Sequence, residues 1–174
     1  TPDLLDEARW EIEWFLKMQA SNGMVFQKVH TDGWTAIPTL PASDTRPRIV
    51  QPVSTAATLN FAAVTAQCFR TYKSFDLNFA NKCLAAAKKA YSAAKVYPNE
   101  KAVDTLGSGM YGDANLTDEY YWAATELYVT TGEATYLNDM KAASHHNVFF
   151  NGAAELTIPD SSMSWPNTQI LGVI

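Results

Sequence analysis

Apolar residues return every three or four positions over most of this chain, so helices dominate the expectation. Leu5, Ala8, Ile12, Phe15 and Met18 form one stripe of a first helix. Thr1 and Pro2 suit its start, Asp3, Asp6 and Glu7 suit the positive end of its dipole, and Asn22-Gly23 supplies a stop. Residues 24–29 alternate enough for a short strand or extended arm. A proline-marked stretch over residues 31–52 reads as a long loop, and loops of that length usually carry function. Ser54-Thr55 opens a second helix, running to about Tyr72, that is apolar nearly all round and must be buried on most sides. Asp76 caps a third, in which Ala80, Cys83, Leu84, Ala87, Tyr91 and Ala94 oppose lysines. A fourth starts at Thr117, is rich in large apolar groups and stops at Gly132; a short amphipathic fifth runs from about Glu133 to Ala143.

The order is therefore amphipathic, buried, amphipathic, buried, amphipathic. A toroid of helical hairpins, with an inner ring wrapped by an outer one, predicts that alternation, whereas a plain bundle does not. The expected class is all-α, with a short extended arm after the first helix. No self-similar motif marks a solenoid. The final residues, Trp165-Pro166-Asn167-Thr168-Gln169-Ile170-Leu171-Gly172-Val173-Ile174, enter an apolar run and end within it, which leaves carbonyls and apolar surface without partners. That end is expected to be a truncation.

Composition narrows the classes. The 174 residues are 47% hydrophobic, 18% charged and net −5, which gives one domain ample core material and makes disorder a poor reading. The acidic balance offers no basic face for nucleic acid, and the lysines at 82, 88, 89 and 95 read as a solvated helix face. No membrane span or signal peptide is present. Cys68 and Cys83 lie among alanines without metal-ligand spacing, as small buried hydrophobes.

Two groups of residues are candidates for chemistry. Asp113, Asn115, Asp118 and Glu119 concentrate hard oxygen ligands within a short stretch, as calcium prefers. The plainer reading of Asp118 and Glu119 is charge compensation at a helix N-terminus. As helix neighbours they point about 100° apart, so they do not face each other across a substrate. The second group is aromatic. Sugars stack their C–H faces on exposed rings. Trp34 follows Gly33 in the long loop, Tyr111 sits in a glycine-rich loop, and Trp165 precedes a proline. Loop-anchoring packing is the alternative for each. Trp10, Trp14 and Trp122 lie within helices, where core packing is favoured, and His145-His146 reads as an exposed loop pair.

The run Asp118-Glu119-Tyr120-Tyr121-Trp122-Ala123-Ala124-Thr125-Glu126-Leu127-Tyr128-Val129-Thr130-Thr131-Gly132 resembles a signature helix of family 9 glycoside hydrolases, the inverting cellulases. Pro2-Asp3-Leu4-Leu5-Asp6-Glu7-Ala8-Arg9-Trp10-Glu11 resembles another point of that fold, and Arg48 with Pro52-Val53-Ser54-Thr55 is similar to the loop and helix between them. The similarity is strongest to the branch in which an immunoglobulin-like domain precedes the catalytic domain. It implies that residues 1–174 are the middle portion of a single (α/α)6 catalytic domain, truncated at both ends. It implies a secreted enzyme cleaving the β-1,4 bonds of cellulose, with Trp34, Tyr111 and Trp165 lining the cleft. Asp113, Asp118 and Glu119 would hold structural calcium with loop carbonyls, helped by a residue near Asn167 or Thr168. An inverting glycosidase needs one carboxylate as base and one as acid. The family's Asp-Ala-Gly-Asp base motif and its late glutamate acid are not found here, so no catalytic residue is assigned and Asp113-Ala114-Asn115 is no substitute. The expected partners are β-1,4-glucan and the remainder of the same domain, not nucleic acid or a membrane. Alone, the chain is expected to be inactive, marginally stable and prone to associate. The competing reading is a non-catalytic helical module that binds glucan or a protein through the same loops.

Overall fold

The computed structural model describes residues 2–103, 108, 109, 112–148, 163 and 167–172. Helix α1 spans Asp3–Lys17. It ends six residues before Gly23, because residues 18–26 turn back on themselves: Ala20 N donates to Met24 O, and Gln19 bridges Val25. Gly23, at φ 95°, makes that turn under a ceiling formed by the Lys89 carbonyl and the Ala93 methyl, each 2.9 Å from where a Cβ would stand. Only glycine meets both demands.

The extended arm is longer than its sequence suggests. Strand β1 (Val25–Phe26) pairs antiparallel with β4 (Val53–Ser54), and β2 (Val29–Thr31) pairs with β3 (Arg48–Val50). Residues 48–52, expected to be loop, thus help to close a ribbon whose tip is residues 32–47. The prolines do not oppose this, since Pro47 and Pro52 flank β3 and contribute only carbonyls, to Asp32 N and Gln27 N.

Helix α2 (Thr55–Tyr72) starts where expected, with the Ser54 hydroxyl accepting from Ala57 N at 3.2 Å. Helix α3 (Leu77–Val96) is capped by Asp76, which accepts from Phe79 N at 3.0 Å. Helix α4 (Thr117–Thr131) ends on Gly132 at φ 71°, as a left-handed cap requires. Short helices α5 (Ala134–Ala142) and α6 (Ser144–Val148) follow.

Helices α2 and α4 lie side by side; α3 covers α2, and α5 covers α4. This is the inner and outer layering that the alternating pattern predicts. Alanines make the close approach possible: Ala62, Ala63 and Ala66 on α2, Ala87, Ala90 and Ala94 on α3, and Ala123 and Ala124 on α4 are all buried together with Leu59, Trp122 and Leu127. Tyr91 packs edge-on to Tyr136 and donates to Asp139 at 2.9 Å, while Tyr120 donates to Ala94 O at 2.7 Å. Cys68 and Cys83 are free, buried thiols in a second cluster with Ile12, Tyr72, Phe79 and Ala80.

Two local expectations fail. Trp10 and Trp14 are 76% and 43% exposed, since α1 buries the face that carries Ile12 and Met18 and turns the tryptophans outward with Leu4. Trp14 also lines a groove of ≈170 Å³ with Phe15, Phe26, Phe61 and Val64. His145 and His146 are not on an exposed loop. They are half-buried on α6 against the Tyr121 ring, and His145 meets the Thr117 hydroxyl at 2.9 Å.

Candidate functional site

The acidic group lies where α4 begins. Asp118 and Glu119 are buried, at 2% and 1% exposure, which solvated helix-end charges would not be. Asp118 Oδ2 accepts from Thr168 N at 2.6 Å and from its hydroxyl at 3.2 Å. The other Asp118 oxygen, both Glu119 carboxylate oxygens and Asp113 Oδ2 are buried with no hydrogen-bond partner among the described residues. Asp113 turns its Oδ1 to Asn115 N at 2.8 Å, and Asn115 in turn accepts from Thr117. Burial, followed by the adjacent Asp118, pushes the Glu119 carboxyl up to about 9. A proton there lets one carboxyl donate to the other; a cation would satisfy both as carboxylates.

The donor set suits a hard cation in kind, since the orphaned oxygens belong to carboxylates. Among the described residues, no three acidic, histidine or cysteine side chains converge closely enough to hold an ion unaided. Loop carbonyls would have to complete any shell. Thr168 braces Asp118 rather than offering a free oxygen, and Asn167 beside it is exposed. Residues 118 and 168 are fifty positions apart, and no local pattern joins them.

Of the three aromatic candidates, Tyr111 and Trp165 lie outside the described residues. Trp34 is 75% exposed at the ribbon tip, so it does not anchor its loop by packing. Gly33 before it adopts φ 92°. The tip is held by Arg46 and Asp44, which the sequence did not single out: Arg46 donates to Gly33 O at 2.8 Å and to Asp44 Oδ1 at 3.0 Å. The His30 ring is engaged by the Gln51 side chain and the Thr31 carbonyl. Lys28 links the arm to the loop preceding α4 through a 2.6 Å bond to Gly109 O.

The comparisons with known proteins bear on what these elements are for. The sequence model of Glycosyl hydrolase family 9 matches residues 1–173. The chain belongs to that family. It is 45% identical over 194 aligned positions to a cellulose 1,4-beta-cellobiosidase of Acetivibrio thermocellus, covering 99% of this chain and 22% of that protein. It is 44% identical over 154 positions to endoglucanase C of Cellulomonas fimi, covering 83% of this chain and 14% of that one. A Bacteroides ovatus family 9 structure superposes with a TM-score of 0.84 at 32% identity, covering 99% of this chain and 31% of that one. AaCel9A in complex with cellobiose-like isofagomine also gives 0.84, at 30% identity and the same two coverages. The chain thus spans under a third of each of these four proteins. The paired inner and outer helices are a portion of the family 9 (α/α)6 barrel.

Proposed function

We propose that this chain is part of the catalytic domain of a secreted family 9 enzyme that hydrolyses β-1,4-glucan with inversion. It contributes a wall of the sugar cleft and a calcium-braced support behind it. The observation that carries this reading is the bare indole of Trp34 at the end of a fixed ribbon. An exposed, immobilised aromatic ring suits the flat face of a glucose unit. Family membership supplies the substrate class, cellulose or cello-oligosaccharide. Tyr111 and Trp165 would extend the same platform.

Calcium belongs at Asp113, Asp118 and Glu119, where its role is structural. Its charge would satisfy the buried oxygens and fix the loop before α4 against the inner helix. No helix among the described residues is long and apolar enough to cross a membrane. The acid and base are assigned to sequence beyond these residues. Purified alone, the 174-residue chain is expected to release no reducing sugar from carboxymethyl cellulose.

Trp34→Ala provides the direct test in the full-length protein that carries this sequence. The ring is exposed, so thermal stability should hold. KM for a soluble cello-oligosaccharide should rise about tenfold, the size of one lost aromatic contact. An unchanged KM would remove Trp34 from the cleft.

A further inference from the structure

The ribbon tip, residues 32–47, presents its tryptophan to solvent and needs another source of rigidity. Arg46 provides it. One guanidinium nitrogen donates to Gly33 O at 2.8 Å and to Asp32 O at 3.5 Å; the second reaches Thr31 Oγ1 at 3.3 Å and also the Thr35 hydroxyl. These partners include Gly33 immediately before Trp34 and Thr35 immediately after it. The arginine is itself held by Asp44, which accepts from Arg46 Nε at 3.0 Å and from its backbone N at 3.3 Å. Asp44 also accepts from Thr35 Oγ1 at 3.0 Å, closing a ring of contacts around the base of the indole. Arg48 stands 3.6 Å from the same carboxylate and donates to Arg46 O at 3.1 Å, so the cluster is tied into β3.

We propose that Arg46, fixed by Asp44, is the positioning residue for Trp34, setting the affinity of this sugar subsite without touching sugar. The inference rests on the reading of Trp34 as a glucan platform. Only a planar fork with several fixed N–H groups grips backbone and side chain on both flanks of one residue; an ammonium group does not. Freed of that grip, the loop would have to be ordered by the sugar, and the lost freedom appears as weaker binding. The chemical step would be untouched, so KM should move and kcat should not.

The experiment uses the full-length protein carrying this sequence, with Trp34→Ala, Arg46→Gln, Arg46→Lys and the double variant Trp34→Ala/Arg46→Gln. Melting temperature, kcat and KM on a soluble cello-oligosaccharide are read for each. Arg46→Gln should raise KM nearly as far as Trp34→Ala does, about tenfold, with kcat within about twofold. The double variant should be no worse than Trp34→Ala, because a ring that is gone needs no positioning. Arg46→Lys keeps the charge opposite Asp44 and should fold, yet still raise KM several-fold. Normal KM in both Arg46 variants beside a raised KM in Trp34→Ala would overturn the proposal alone, as would effects that multiply in the double variant. A normal KM in Trp34→Ala would overturn the platform reading, and this inference with it.

Discussion

Metal-free protein is expected to lose stability as the pH rises from about 5 to 9, and calcium is expected to offset part of that loss. The cause is Glu119, buried with both oxygens unpartnered among the described residues and pushed from 4.5 to about 9 by burial and by Asp118. The sign follows from proton counting. Between the unfolded and folded values the native state holds a proton that the unfolded chain has released. Unfolding free energy therefore falls with rising pH by up to about 1.4 kcal/mol per unit. The stabilising protonated form is complete below the unfolded value and gone above the folded one. Calcium at the proposed site would bind the ionised carboxylates, so it would displace the proton and add about 2.7 kcal/mol at one hundred times its dissociation constant. Glu119→Gln should flatten the pH dependence and abolish the calcium response together. Urea unfolding of dialysed protein at pH 5, 7 and 9, with and without calcium, reads all three effects. A flat profile that calcium leaves unmoved would remove the cation site.

The second large effect is expected at Glu126, where truncation to alanine should cost about 3 kcal/mol or more. Its carboxylate is almost wholly buried between α2 and α4, paired with Arg70 and also accepting from Gln67 and from Trp122 Nε1. Arg70 goes on to bond Glu126 O at 3.1 Å and Thr130 Oγ1 at 2.5 Å, so one ion pair joins the two inner helices. Removing the acid strands a part-buried guanidinium, which costs more than the pair contributes. Replacing both partners, as Arg70→Met with Glu126→Leu, should therefore recover most of the loss. Chemical denaturation of Arg70→Met, Glu126→Leu and their double variant, beside Glu126→Ala, checks this as a cycle. A loss below about 1 kcal/mol in Glu126→Ala would contradict it.

The residues that were legible in advance are those whose cause is local. Ser54, Asp76 and Gly132 mark helix ends because capping acts within three residues, and the structure uses each as such. Inner and outer helices were legible from how far round each the apolar residues extend. Contacts between distant residues were not. Nothing near Arg48 announces that β3 pairs with β2, since a three-residue exposed strand carries no burial alternation. Trp10 and Trp14 fit a helical pattern, but the sequence does not say which face of α1 another element covers. Among site residues, the acids around the start of α4 and Trp34 stood out by type and spacing. Arg46, Asp44 and Thr168 did not, because their importance is only in what they hold.

The proposed function makes this chain part of an enzyme cleaving β-1,4-glucan by inversion. Proton NMR of the full-length protein acting on a soluble cello-oligosaccharide tests it most directly, by recording which anomer of the new reducing end forms first. Water attacking from the face opposite the leaving sugar must give the α-anomer, which then mutarotates. Early α-anomer is the predicted result; early β-anomer, or an intact substrate, would contradict it.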